Sequence, residues 1–151
     1  MQVVVAVADL ARSLDFYERV FAWPRNPLVD YANYVELLPP DGGAVGLYQR
    51  AGFAGEVGAE PVEIDDDRVS PHYLYVRVED VEATVAAIEG AGGRRLSPLA
   101  QRAWGERAAW FADPDANVVA VAQRVPADDP MAQSFRHGGS SYRAARTGSS
   151  R

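Results

Sequence analysis

Several side chains that can bind or catalyse are concentrated in one short stretch, SPHYLYVRVED, at residues 70–80. A histidine, His72, is followed at alternating positions by Tyr73, Tyr75 and Arg77. Because successive side chains of a β-strand point to opposite faces, the two tyrosines and the arginine share one face and His72 belongs to the other. Imidazole is a common metal ligand. Its register nevertheless separates His72 from the other three, so we interpret it as a structural or rim residue.

The element around this stretch occurs twice in the chain, at an offset of 71 residues. The segments VVVAVADLARSLDFY and LYVRVEDVEATVAAI each combine a strand-like run, an aspartate and apolar positions at helical spacing. Asp9 and Asp80 stand where a helix N-cap is expected. A hairpin pattern follows each helix, and further strands are predicted around 25–31 and 93–99. Each half therefore reads as β-α-β-β-β.

These repeats define the predicted organisation of the chain as one α+β domain built from two modules. The first module covers residues 1–50 and the second covers 70–125, with a Gly- and acid-rich linker at 51–69. The acidic run at 63–67 lacks the glycine and the final glutamate of a calcium-binding loop, so we interpret it as a solvated surface. The segment 126–151 is rich in Gly, Ser and Arg and is predicted to be flexible or to dock on a partner.

Composition excludes several classes of protein. The 151 residues carry a formal net charge of −6, which disfavours a nucleic-acid partner. No apolar run is long enough to span a membrane, and the first residues, MQVVVAVAD, lack the basic start and small-residue cleavage site expected of a signal peptide. The absence of cysteine excludes disulfides, thiolate metal sites and a cysteine nucleophile. We expect a cytoplasmic protein with neither a membrane nor a nucleic acid as its partner.

Three segments together resemble the vicinal oxygen chelate superfamily, which includes glyoxalase I, extradiol dioxygenases and bleomycin-resistance proteins. They are VADLARSLDFYERVFAW, VRVEDVEATVAAIEGAGG and WGERAAWFADPDANVVAVAQ. The resemblance covers about residues 1–125 and implies a cup-shaped mixed sheet and a homodimer. Where the family has a glycine after its DPD sequence, this chain has Ala116. We expect Asn117 to adopt the left-handed turn conformation in its place.

The resemblance also implies where a divalent metal would be held, and this chain departs from that pattern. The four matching positions are Gln2, Gly46, Tyr73 and Ala120. Glycine and alanine offer no donor atom, and an amide and a neutral phenol are weak ligands. We therefore expect no metal and no other cofactor.

Tyrosine, tryptophan and one arginine occupy the predicted cup. Flat rings with a polar tip suit the stacking and orientation of a small aromatic ligand, although the rings could instead fill a closed core. Arg77 could bind an anionic group, stack on a ring, or pair with an acid such as Glu36. The predicted ligand-binding residues are Gln2, Val4, Tyr34, Glu36, Tyr48, Tyr73, Tyr75, Arg77, Trp104, Trp110 and Phe111.

The leading hypothesis is a metal-free protein that sequesters an aromatic small molecule, with a cationic compound as one option because the protein is acidic. The alternative is a metal-independent isomerase, cyclase or lyase, with Tyr73 or Glu36 as general acid or base. A metal-dependent glyoxalase- or dioxygenase-like enzyme is the third hypothesis, and it lacks the ligands that it needs. Sequence alone assigns no catalytic residue and leaves open whether the protein is an enzyme.

Overall fold

The computed structural model describes residues 1–29, 31–64 and 67–126. This part of the chain contains three helices and seven strands. None of these helices is long and apolar enough to cross a membrane. The elements are β1 (Gln2–Val7), α1 (Leu10–Phe21), β2 (Tyr34–Leu37), β3 (Ala44–Gln49), α2 (Arg50–Val57), β4 (Tyr73–Arg77), α3 (Val81–Gly90), β5 (Arg94–Gln101), β6 (Glu106–Ala112) and β7 (Val118–Arg124).

The two long helices begin at the aspartates that the sequence predicts as N-caps. The Asp9 carboxylate accepts a hydrogen bond from the backbone N–H of Arg12 at 3.0 Å, and the Asp80 carboxylate accepts one from Ala83 at 2.9 Å. Both aspartates have an extended backbone, and their side chains satisfy N–H groups that lack a partner within the helix. The predicted caps are confirmed.

Each half connects two parallel strands through a helix and adds a hairpin. β1 pairs in parallel with β3, and β4 pairs in parallel with β7. Antiparallel partners complete the sheets, with β2 beside β3 and β6 between β7 and β5. The strand orders are β1-β3-β2 and β4-β7-β6-β5, which confirms the predicted α+β class with two mixed sheets.

The first sheet differs from the prediction at its outer edge. In place of a regular strand around 25–31, Arg25 and Tyr31 pair with β2 through isolated bridges. Pro27 lies between them and has no N–H to donate to a ladder, which accounts for the interrupted pairing. The corresponding strand of the second half, predicted around 93–99, is present as β5.

The faces of the two sheets that carry the helices form one apolar core. Val7 and Leu47 from the first sheet and Val119 and Val121 from the second are fully buried in the same cluster. α1 and α3 pack on their own sheets and against each other. Burial of each such side chain contributes roughly 1.5–3 kcal/mol, so this shared core holds the two halves together.

Two aspartates in the β6–β7 turn connect the second half to the first. The buried hydroxyl of Tyr17, on α1, donates to Asp113 at 2.9 Å. The Asp115 carboxylate accepts hydrogen bonds from the backbone N–H of Ala8 at 2.9 Å and from the Ser13 hydroxyl at 2.6 Å. The turn therefore fixes the beginning of α1 relative to the second sheet.

The conformation of this turn corrects one expectation. Ala116 itself has a positive φ of 62°, so the left-handed position is not passed to Asn117. Asn117 instead donates its backbone N–H and its side-chain amide to Asp113. An alanine in the left-handed region costs about 1 kcal/mol relative to glycine, which the hydrogen bonds to the Asp113 and Asp115 carboxylates offset.

The predicted linker contains an ordered element. Its first residues form α2, which packs on β1 and β3. Gly52 approaches the Tyr48 ring so closely that any Cβ at this position would collide with it. The predicted tail lies outside the described residues, except for Pro126.

Candidate functional site

Strand pairing fixes which side chains share the surface opposite α1 and α3, here called the cup face. In the first sheet, Val4, Gly46 and Glu36 lie side by side across three strands. The alternating residues Val5 and Leu47 are buried on the helix face. Gly46, one of the positions matched to a metal ligand, therefore lies on the cup face.

The second sheet has the same arrangement. Tyr75, Ala120 and Trp110 lie side by side on its cup face. Phe111 pairs with Val119 in the next row, on the helix face, and is fully buried in the core. The prediction that Phe111 binds ligand is wrong, because successive residues of β6 point to opposite faces and Trp110 occupies the cup side.

The edge strands β1 and β4 face each other across the gap between the two sheets, here called the seam. Val4 and Ala6, in the second half of β1, line the same cavity as His72, which precedes β4. At the other end, Asp41, in the turn before β3, lines a groove together with Arg77. β1 and β4 therefore run in opposite directions on the two sides of the seam, and His72 is exposed at its rim.

The cavity at this seam is small. It measures about 160 Å³ and is lined by Val4 together with Phe53 and Val62 from the segment that covers it. An apolar cavity of roughly 150 Å³ holds a molecule the size of benzene. A ligand with more than one ring is therefore too large for this cavity.

On the first sheet, four polar side chains form a closed network, here called the Glu36 cluster. Gln2 Nε2 donates to the Glu36 carboxylate and to the Tyr34 hydroxyl oxygen, each at 2.5 Å. Asn26 Nδ2 donates to Glu36 at 2.6 Å, and the Tyr34 hydroxyl donates to Glu36 at 3.2 Å. Glu36 thus accepts three hydrogen bonds from its own chain.

Tyr34 occupies the space above Gly46. A Cβ on Gly46 would lie 2.5 Å from the Tyr34 hydroxyl oxygen and 2.6 Å from a ring carbon. Burial, followed by the nearby charge of Glu36, raises the pKa of Tyr34 to about 12. At neutral pH the phenol is therefore a hydrogen-bond donor and not a base. Tyr48 packs edge-on against this ring at 5.2 Å and lies beneath α2.

On the second sheet, four rings form what we call the aromatic cluster: Tyr73, Tyr75, Trp104 and Trp110. Tyr73 and Trp104 stand nearly perpendicular to Trp110, with ring centroids 6.3 Å from it in both cases. Tyr75 lies 6.5 Å from Trp110. The guanidinium of Arg102 covers Trp110 at 4.7 Å from the ring centroid. The rings Tyr73 and Trp104 remain exposed.

A carboxylate that the sequence analysis missed lies among these rings. Glu106 accepts hydrogen bonds from the Tyr75 hydroxyl at 2.5 Å, from Arg77 Nε at 2.7 Å and from Trp104 Nε1 at 3.2 Å. Its side chain is 6% exposed. Glu106 lies four residues before Trp110 on β6 and therefore on the same face of the sheet. Placing Trp110 on the cup face would have placed Glu106 there too. Arg77 therefore pairs with Glu106 and not with Glu36.

The pKa shifts follow from this geometry. Burial alone would raise the pKa of Glu106, but hydrogen bonds from Tyr75 and Arg77, with the Arg77 charge, lower it below its usual value. Burial and the bond to Glu106 raise the pKa of Tyr75. At neutral pH the cluster thus contains an ionised Glu106, a protonated phenol and a guanidinium.

The structure separates the predicted ligand-binding residues into two groups and leaves two others apart. Val4 lines the seam cavity, and Phe111 lies in the core. The first group, on the first sheet, is Gln2, Tyr34, Glu36 and Tyr48; the second, on the second sheet, is Tyr73, Tyr75, Arg77, Trp104 and Trp110.

The residues at the metal-ligand positions do not fit a divalent ion. Gly46 carries no donor and is covered by Tyr34, and Ala120 is fully buried between its neighbours on the sheet. Gln2 Nε2 donates a hydrogen bond to Glu36, which leaves only a weak amide oxygen, and Tyr73 offers only a phenol. No group of three or more His, Cys, Asp or Glu side chains that could hold a metal occurs in residues 1–29, 31–64 and 67–126.

Comparison with known proteins agrees with this fold. The protein YraH of Bacillus subtilis (strain 168) is 27% identical over 122 residues, which cover 80% of this chain and 94% of YraH. The crystal structure of a glyoxalase-related enzyme from Fulvimarina pelagi has a TM-score of 0.69 at 20% identity, covering 82% of this chain and 86% of that one. A glyoxalase/bleomycin resistance protein/dioxygenase family enzyme from Burkholderia phytofirmans PsJN gives the same TM-score at 16% identity, covering 82% and 97%.

The family itself is shown by a match to a family model. The model of the glyoxalase/bleomycin resistance protein/dioxygenase superfamily matches residues 1–121, which include α1 to α3, β1 to β6 and the first four residues of β7. Together with the paired strand-helix-strand halves, this match places the chain: it belongs to the glyoxalase/bleomycin resistance protein/dioxygenase superfamily.

Proposed function

We propose that this protein binds an aromatic small molecule on the cup face of its second sheet, and that binding requires no metal ion or cofactor. The observation that carries the proposal is the exposure of the aromatic cluster. Tyr73 and Trp104 are 54% and 58% exposed beside the half-buried Tyr75 and Trp110. Apolar surface in water is unfavourable by roughly 25 cal/mol per Å², so a flat ligand that covers these rings gains that free energy.

The rings are also held in place before a ligand arrives. The Tyr75 hydroxyl and Trp104 Nε1 both donate hydrogen bonds to Glu106, and the Arg102 guanidinium covers the Trp110 ring. Side chains that are already ordered lose little conformational entropy on binding. Stacking on such rings contributes about 0.5–1.5 kcal/mol per ring beyond area burial, and several rings together support micromolar affinity.

The charge of the ligand is a separate matter. The expectation of a cationic ligand rests on the net charge of −6, which attracts cations to the protein as a whole. It does not fix the charge that faces a ligand within the aromatic cluster, which depends on the groups next to the rings.

A homodimer is part of the proposal. Outside the aromatic cluster the cup face still has an exposed apolar residue, Val4, which a second copy would shield. Light scattering coupled to size-exclusion chromatography measures the mass directly. A mass of 16.4 kDa across the working concentration range would contradict the dimer.

The test is a titration of tryptophan fluorescence with flat aromatic compounds, using protein treated with EDTA. We expect at least one compound to quench the emission of the exposed Trp104. The variant Tyr73→Ala should weaken binding by about fivefold to tenfold, because one ring contact is lost.

The matched control is Tyr31→Ala, which removes an exposed tyrosine away from the cluster. Its affinity should equal that of the wild type. Equal weakening by both variants, or no quenching across a broad panel, would contradict the proposal.

The Glu36 cluster favours a second candidate, a metal-independent enzyme. The protonated Tyr34 phenol and the Glu36 carboxylate are 3.2 Å apart, as a general acid and a base would be. In that case EDTA-treated protein should convert a bound compound to product, and Glu36→Gln should abolish turnover without abolishing binding. Binding without any turnover would leave sequestration as the function.

A further inference from the structure

We propose that the aromatic ligand carries an anionic group, a carboxylate or an acidic phenol, and that the terminal nitrogens of Arg77 bind it. This inference rests on the proposed function, because it assigns the chemistry of the same site. Arg77 extends from the same face of β4 as Tyr73 and Tyr75. Its guanidinium carbon lies 5.3 Å from the centroid of the Tyr75 ring. An anion bound there would be next to the exposed rings.

The acid of the aromatic cluster is not available to a cation. Glu106 is 6% exposed and already accepts bonds from Tyr75, Arg77 and Trp104. A cationic ligand would have to displace Arg77 from a carboxylate that is buried under two aromatic side chains. The exposed charge beside the rings is therefore the positive one, since the Arg77 side chain is 57% exposed.

Arg77 still has donors to offer. It bonds to Glu106 through Nε, and neither terminal nitrogen donates a hydrogen bond to a residue of the described chain. The bond through Nε fixes the plane of the guanidinium. Both terminal nitrogens can then donate hydrogen bonds to one partner. A fixed guanidinium binds carboxylates with paired hydrogen bonds, whereas a lysine would offer only a mobile point charge.

Two neighbouring charges modulate this site in opposite directions. Arg124 Nε lies 3.9 Å from Glu106 Oε1, the oxygen that also accepts from Arg77, and adds positive charge there. Asp41 faces Arg77 across the groove between the sheets and contributes to raising the pKa of Arg77. Removal of the Asp41 charge should therefore tighten the binding of an anion, and removal of Arg77 should weaken it.

The experiment compares three probes of one shape by isothermal titration calorimetry: naphthoate, its neutral amide and naphthylmethylammonium. We expect the wild type to bind naphthoate about tenfold more tightly than the amide, because one charge-assisted pair is added, and to bind the cation most weakly. Arg77→Gln should abolish the preference for the anion while the affinity for the amide stays within about twofold.

The matched control is Arg107→Gln, which changes the net charge by the same amount. Arg107 is on the helix face of β6, where it pairs with Glu82 at 2.5 Å. This variant should keep the preference of the wild type. If it loses the preference as Arg77→Gln does, overall charge is responsible and the assignment to Arg77 is overturned.

The outcomes separate this inference from the proposed function. Equal affinity for anion and amide, or tighter binding of the cation, overturns the inference and leaves aromatic binding in place. Failure of all three probes contradicts the proposed function itself. Should Arg77→Gln unfold because Glu106 has lost its partner, the double variant Arg77→Gln/Glu106→Gln removes both charges, and it too should show no preference for the anion.

Discussion

In the described residues, the two halves share a parallel strand pair with an antiparallel neighbour, although the second half alone has a regular fourth strand, and their cup faces differ. On the first sheet, Gln2, Asn26 and Tyr34 satisfy Glu36, and α2 covers the neighbouring Tyr48. On the second, a carboxylate also gathers polar groups, but Tyr73 and Trp104 stay exposed around it.

The comparison shows how one fold carries a filled face on one sheet and an exposed aromatic face on the other. Each sheet has a row of three paired residues with a small residue at its centre. The rows are Val4–Gly46–Glu36 and Tyr75–Ala120–Trp110. In the first row the space above that residue is filled from within by Tyr34. In the second row the flanking residues are rings, Tyr75 and Trp110, whose neighbours Tyr73 and Trp104 are exposed.

The largest effect is expected from Gly46→Ala, on the first sheet, where Tyr34 fills the space above Gly46. The new Cβ would run into the Tyr34 ring, and we expect the free energy of unfolding to fall by about 1–3 kcal/mol. In the background of Tyr34→Ala the same substitution should be nearly neutral, because the colliding ring is gone. Urea unfolding of the four proteins in this cycle measures the coupling; additive losses would show that Tyr34 does not fill this space.

The second prediction concerns how the stability contributed by two buried acids, Glu106 and Asp113, depends on pH. The folded-state pKa of Glu106 is below its usual 4.5, so the ionised form stabilises the fold; that stabilisation is complete above pH 4.5 and is lost as the pH falls. Burial raises the pKa of Asp113 above 3.8, even though N–H groups and the Tyr17 hydroxyl bond to it. Its contribution is therefore largest below pH 3.8 and declines as the pH rises.

Urea unfolding across this pH range checks both signs. The free energy of unfolding of the wild type should exceed that of Glu106→Gln by more as the pH rises. Its excess over that of Asp113→Asn should become smaller. Parallel trends for the two variants would contradict the assignment of opposite shifts.

The smallest effect concerns the two hairpin turns. The first turn has glycine at its positive-φ positions, Gly42 and Gly43, whereas the second has Ala116 at φ 62°. We expect Ala116→Gly to stabilise the protein by about 0.5–1 kcal/mol, since the strain of an L-residue in the left-handed region is removed. Thermal unfolding measures this; a lower midpoint would mean that the side chain contributes packing that outweighs the strain.

Sequence was sufficient where local chemistry determines structure. The internal repeat gave both helices and their aspartate caps, because capping depends on residues three positions apart. Alternation along β1 and β4 placed Gln2, Tyr73, Tyr75 and Arg77 correctly on the cup face, because the period of a strand is fixed.

Sequence failed where the outcome depends on pairing between distant segments. The face of β6 is set by its register with β7, so Phe111 was assigned to the cup and Glu106, two strands away from Arg77, was missed. The interrupted pairing around 25–31 follows from Pro27, a local signal that the sequence analysis did not use. The helix α2 in the linker depends on contacts with β1 and β3 that composition does not encode.

The most direct test of the claim that the second sheet binds the ligand is an NMR titration of isotope-labelled protein with a flat aromatic compound. We predict that the indole N–H signal of Trp104 and the backbone signals of Tyr73 and Tyr75 shift with the ligand, while the side-chain amide signals of Gln2 and Asn26 stay in place. Shifts confined to Gln2, Asn26 and their neighbours would contradict the account.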